Sequence, residues 1–149
     1  MYRHSEQRHL AHPPEAIFDL VADVSAYPEF LPWCTATRIL KQSESEMIAE
    51  MAVGYKGIRE IYKSDVQLDR EGLAIAVSAI DGPFKTLDNR WRFSPSEEGG
   101  CEVDFSIEFE FRSWLLQRVI GAFFEQAVGR MVAAFEARAD ALYPAKNPD

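Results

Sequence analysis

No apolar run in this 149-residue sequence approaches the roughly 18–20 residues a helix needs to cross a bilayer; the longest candidate, Val119–Phe124, is far too short. The first residues, Met1–Glu6, carry no apolar stretch and no small-residue cleavage site, so a cytoplasmic location is expected. Cysteine is scarce: Cys34 and Cys101 stand far apart, outside any Cys-x-x-Cys spacing, and are expected as free, partly buried thiols. Histidine is scarcer in useful places, with all three within the first twelve residues. His4 and His9 have opposite parity on a strand, and His9-x-x-His12 has no third ligand to complete a metal site, so surface histidines are expected. No nucleophile elbow, dinucleotide fingerprint, phosphate loop or His-Glu-x-x-His occurs, and Cys34 has no base near it in sequence. Positive charge is short as well: 16 Lys and Arg against 24 Asp and Glu leave a net charge of −8. That balance disfavours nonspecific nucleic-acid binding and docking on anionic headgroups, unless cations gather locally. Arg90 and Arg92 share an outward parity, and Arg112, Arg118 and Arg130 are further candidates for such a face.

What the sequence does have is alternation. Over Glu102–Phe111 the odd positions Val103, Phe105, Ile107, Phe109 and Phe111 are apolar, and the even ones are Glu102, Asp104, Ser106, Glu108 and Glu110. One buried and one wet face is the signature of an antiparallel sheet. Met47, Ala49, Met51, Val53 and Tyr55 repeat the pattern, as do Ile58, Tyr62, Val66 and Leu68, and Leu87, Trp91 and Phe93. Turn signals separate these runs at Gly54–Gly57, Asp69–Gly72, Asp81–Pro83 and Glu98–Gly100. The pattern predicts a first strand near Tyr2–Leu10, then five or six strands joined as a meander. Between them, Pro13-Pro14-Glu15 opens a short helix with Ile17, Leu20, Val21 and Val24 on one face.

The C-terminal third reads as one long helix from a Ser113 cap to about Leu142, with Pro144 beyond its end and a frayed tail over Lys146–Asp149. Leu116, Ile120, Phe123, Ala127, Met131, Val132 and Phe135 form its apolar stripe, which must lie on the inner face of the sheet. Gly121 and Gly129 cost a helix about 1 kcal/mol each relative to alanine, which points to close packing or to space beside the helix. Inward parity also puts Glu60, Ser64 and Asn89 among the apolar residues. Apolar walls with a few polar groups fit a ligand pocket. The expected architecture is one α+β domain over residues 1–149, a curved antiparallel sheet wrapped around a long C-terminal helix.

Three segments resemble a known family. Asp23-Val24-Ser25-Ala26-Tyr27-Pro28-Glu29-Phe30-Leu31-Pro32-Trp33-Cys34 follows the first helix, Gly82-Pro83-Phe84-Lys85-Thr86-Leu87-Asp88-Asn89-Arg90-Trp91-Arg92-Phe93 lies downstream, and Phe135-Glu136-Ala137-Arg138-Ala139 sits near the end. Together they are similar to the coenzyme Q-binding, START-like family, whose bacterial members are often called polyketide cyclase/dehydrase-like or ribosome-association toxin proteins. The resemblance spans nearly the whole chain and implies the helix-grip fold. It implies binding of ubiquinone as a ligand, with no cofactor, by a carrier or chaperone that is not an enzyme and supports respiratory electron transport. Contact with the inner membrane or a respiratory complex would follow.

The expected ligand-binding residues are Tyr27, Phe30 and Trp33 on a proline-stiffened, extended loop; Met51, Val53, Glu60 and Tyr62 on the early hairpin; Asn89, Trp91 and Phe109 on later strands; and Phe123 and Ala127 on the helix. Two other readings remain open. One is a toxin-like protein that binds the large ribosomal subunit and blocks subunit joining. The other is a cyclase-like enzyme, for which Glu60 is the inward acid or base.

Overall fold

The computed structural model describes residues 2–55 and 57–143; Lys56, the Tyr55 side chain, Pro144 and the Lys146–Asp149 tail lie outside the described residues. Seven strands form one antiparallel sheet: β1 (Tyr2–Leu10), β2 (Cys34–Gln42), β3 (Glu46–Tyr55), β4 (Ile58–Asp69), β5 (Ala74–Asp81), β6 (Phe84–Pro95) and β7 (Cys101–Phe111). Their spatial order is β1-β7-β6-β5-β4-β3-β2, so six consecutive strands make a meander and the first strand joins the last. This is the helix-grip architecture that the alternation and the resemblance imply.

Parity decides the faces as the sequence predicts. Trp91 pairs with Phe105, Phe93 with Val103 and Leu87 with Phe109 across β6 and β7, while Met47 pairs with Val66 and Met51 with Tyr62 across β3 and β4. These side chains line the concave face, and Asp104 stands exposed on the convex one. β2 and β5 have no clear alternation in sequence; their alanines and threonines blur it, and the β2 pairing is shifted by irregularities at Cys34/Ala36 and Ile39/Lys41.

Helix α1 (Pro14–Ala22) begins with Pro14 in the first turn and Glu15 near the positive end of its dipole. It buries Ile17, Phe18, Leu20 and Val21, with the Phe18 ring edge-on to Phe93 at 6.1 Å. Arg70 clamps its outer side by a 2.7 Å pair with Asp19 and by stacking over Phe18 at 4.7 Å.

The terminal helix is broken, where the sequence reads as continuous. Helix α2 (Trp114–Gly121) starts at the Ser113 cap, whose side chain accepts from the Leu116 backbone N–H. A turn at Ala122–Phe123 follows, closed by Phe123 N–H donating to Ile120 O at 2.9 Å, and helix α3 (Phe124–Leu142) resumes. Val132 and Phe135 of the expected stripe are buried as predicted. The buried stripe of α3 is Phe124, Val128, Val132, Phe135 and Ala139, and Phe123, Ala127 and Met131 stand to one side of it. Gly121 sits against the Tyr2 hydroxyl, where a Cβ would collide with the ring, while Gly129 is exposed with open space around it and makes no room inside.

Two further expectations change. Val24–Glu29 is a 3₁₀ helix containing Pro28, so Tyr27 does not adopt the extended conformation expected before proline. His12 is not a surface histidine: it is 4% exposed, lies 2.8 Å from Asp140 Oδ1, and its ring faces Tyr143 at 6.0 Å. The pair ties the β1–α1 connection to the end of α3.

Candidate functional site: an apolar cavity under the terminal helices

Between the concave face of the sheet and α3 lies a cavity of about 250 Å³. The sheet supplies its floor because inward parity gathers Met51, Val53, Tyr62, Trp91 and Phe109 there; α3 with the turn before it supplies a roof of Phe123, Phe124, Ala127, Val128, Met131 and Phe135. Polar groups among these walls are sparse. Glu60, Ser64 and Asn89 all line the cavity, as their parity predicts. Asn89 is held at both ends of its amide: Nδ2 donates to Ser106 O at 2.9 Å, and Oδ1 accepts from Trp91 Nε1 at 2.9 Å. The Trp91 indole is thereby held in place, edge-on to Phe105 at 4.7 Å and to Phe135 at 5.2 Å.

Two phenols complete the wall. Tyr62 Oη donates to Met51 Sδ at 3.3 Å, and burial pushes its pKa up. Tyr27 Oη donates to Val21 O, and burial again raises its pKa. Both remain neutral hydrogen-bonding groups at physiological pH. Cys34 and Cys101 are free and buried, and desolvation pushes each thiol up to about 11.

The structure gathers every sequence-predicted site residue around this cavity except Phe30. Phe30 sits behind the lining, edge-on to Phe135 at 5.2 Å and beneath the Arg138 guanidinium at 5.2 Å, while Arg138 Nη2 also reaches Glu29 at 3.6 Å. Its place is structural: with Tyr27 it pins the 3₁₀ segment onto α3. Sequence reasoning missed Val21, Val24, Leu31, Ile75, Val77, Phe84, Ile107 and Phe111 as lining residues. Strand parity marks Ile107 and Phe111 as inward, but inward alone does not separate a cavity wall from filled core. The acids and bases near the cavity are few, and among the described residues no cluster of His, Cys, Asp or Glu could hold a metal ion.

The family model described as "Polyketide cyclase / dehydrase and lipid transport" matches residues 10–136. The chain belongs to that family. Within it, the chain is 43% identical over 129 residues to the ribosome association toxin RatA of Vibrio cholerae, covering 87% of this chain and 89% of the relative. It is 35% identical to the mitochondrial coenzyme Q-binding protein COQ10 homolog B of Xenopus laevis, covering 94% of this chain and 59% of that one. Among solved structures, an 18 kDa protein from Caulobacter crescentus is 40% identical with a TM-score of 0.78, covering 97% of this chain and all of the other. The ZhuI aromatase/cyclase of a Streptomyces species superposes with a TM-score of 0.85 over 99% of both chains at 16% identity, a likeness of fold alone. Membership in this family and the hollow, apolar interior both describe a lipid-binding scaffold.

Proposed function

We propose that this chain is a ribosome-associating protein of the RatA type that holds a hydrophobic, quinone-like lipid in its cavity and acts by binding, without catalysing a reaction. The ribosomal half of the reading rests on the relatives. Identity is higher, and coverage of the relative far more complete, for the ribosome association toxin than for the coenzyme Q-binding protein. Association with ribosomes therefore ranks ahead of respiratory quinone transport as the biological role. The convex face does not itself favour an RNA partner, because Arg90 is held at 3.1 Å by Asp88 and is no free cation. The experiment is co-sedimentation with ribosomal subunits at moderate salt: the protein is expected in the large-subunit fraction. Its persistence at the top of the gradient, with both subunits present, would remove this half.

The lipid half is carried by one observation, an apolar hollow with few polar groups, of which Asn89 is fixed by hydrogen bonds. A planar head with carbonyl oxygens suits it, since Trp91 and Phe109 offer flat contacts and Glu60, Ser64 and Asn89 offer polar ones. The volume lies below the roughly 300–1,000 Å³ of pockets that enclose a whole drug-sized ligand, so a long isoprenoid tail must leave through the mouth. Solvent extraction of gently purified protein, followed by mass spectrometry, is expected to release a prenylated quinone at a sizeable fraction of molar equivalence. Clean protein from quinone-producing cells, which also takes up none when quinone is added, refutes it.

A further inference from the structure

The cavity opens at one end of the molecule. Its lining residues Ile58, Pro83, Phe111, Ile120 and Phe123 are only half-buried, whereas Val66, Ile75 and Val128 farther along are fully buried. The half-buried set comes from three neighbouring pieces: the start of β4, the Asp81–Phe84 turn, and the passage from β7 into α2. Contacts hold these pieces together. Arg112 N–H donates to Pro83 O at 2.8 Å, and Gly82, with φ of +126°, lies directly against the backbone of Ile61 and Tyr62. Helix α2 is seated there by Tyr2 Oη donating to Gln117 O at 2.5 Å and by Gln117 Oε1 accepting from Phe111 N–H at 2.8 Å.

This same end carries the most exposed large apolar side chains among the described residues: Trp114 at 72% and Leu115 at 61% on α2, with Ile61 at 60% and Ile80 at 53% on the sheet, the last two outside the cavity lining. α2 buries none of its own residues. Cations collect beside them. Arg59, Lys63, Lys85, Arg112 and Arg118 stand on these segments against Glu60, Asp81 and Glu110, a local excess of positive charge in a molecule of net charge −8. The Arg118 guanidinium lies over the Trp114 ring at 5.5 Å, so the aromatic and its cation are presented as a unit.

We propose that this end, with Trp114 and Leu115 of α2 at its tip, docks on the surface of an anionic phospholipid bilayer and places the cavity mouth against the lipid. This rests on the lipid-binding half of the proposed function and adds the surface by which the lipid is reached. Tryptophan and leucine enter the headgroup boundary favourably, and neighbouring Arg and Lys are drawn to anionic headgroups. RNA would use the cations but gains nothing from Leu115 beside an apolar mouth, so the lipid surface fits better.

The test is flotation with vesicles of phosphatidylcholine alone and with added phosphatidylglycerol, at low and moderate salt. The intact protein is expected to float with the anionic vesicles. The double variants W114S/L115S and R112E/R118E should each weaken flotation on the order of tenfold. Neither pair lines the cavity, so both variants should retain direct uptake of a short-chain quinone delivered without vesicles, and this readout separates the two claims. Failure of quinone uptake by the intact protein removes the lipid-binding reading, whatever the vesicles show. Normal uptake with no flotation, or with flotation that neither variant weakens, overturns the docking surface. If R112E/R118E instead abolishes ribosome co-sedimentation and leaves flotation unchanged, this end contacts RNA and the membrane assignment is wrong.

Discussion

Cys34 and Cys101 hold their protons to higher pH in the folded chain than free thiols do, because burial disfavours the thiolate and raises each pKa from 9.0 to about 11. A raised folded pKa contributes stability that is fully present below about 9 and is lost as pH climbs through about 11. Melting temperature should therefore fall across that alkaline window, and a thiol reagent at pH 8 should label neither cysteine until denaturant is added. Rapid labelling of the native protein would contradict the burial. Asn89 gives a second residue-scale prediction. Replacing it with leucine strips the acceptor from Trp91 Nε1 and the donor from Ser106 O, so Asn89→Leu should lose about 1–3 kcal/mol in urea unfolding. The sequence shows Asn89 as inward and polar, and no more. Its two bonds, one along β6 and one across to β7, depend on side-chain geometry that parity does not encode. Phe30 teaches the converse. An aromatic in a motif beside Tyr27 reads as part of the same ligand-binding loop, yet Phe30 lies under Arg138 instead.

At the scale of elements, strands with strict alternation were legible and the others were not. β3, β4, β6 and β7 announce their faces, whereas β2 and β5 are assigned only once their neighbours impose a register. The faces can be tested together. Val53→Lys, on the concave side, should abolish uptake of a hydrophobic ligand, and Asp104→Lys, on the convex side, should leave it within about twofold. Equal losses would mean the sheet is inverted relative to this description. The break between α2 and α3 was invisible because Gly121, Ala122 and Phe123 continue the helical spacing. What breaks it is tertiary: Tyr2, lodged between Phe109 and Phe124, occupies the space over Gly121. Gly121→Ala must displace that ring from its bond with Gln117. A loss of about 1–3 kcal/mol is expected, seen as a lower melting temperature. An unchanged melting temperature would show that the seat is soft.

For the whole molecule, the cavity is a reservoir of stability to be gained on filling. A ligand present at about 100 times its dissociation constant adds roughly 2.7 kcal/mol, which for a chain of this size raises the melting temperature by about 5–10 °C. Thermal shift with a short-chain quinone measures this, and the Val53→Lys variant should show no shift. The fold follows from patterning that the sequence carries openly, because burying one face of six hairpin-linked strands under amphipathic helix leaves few alternatives, whereas the hollow is a matter of packing that parity does not encode. Biological role does not follow from patterning at all, since similar chains carry the names of different partners, the ribosome for one and coenzyme Q for another.

The pairing of β1 with β7 sets an order in time as well as in space. Tyr2 lies opposite Phe109, so β1, made before the other strands, waits for β7 before its backbone finds partners. Until about residue 111 has left the ribosome, the other strands can zip as successive hairpins while Tyr2–Leu10 stays unpaired.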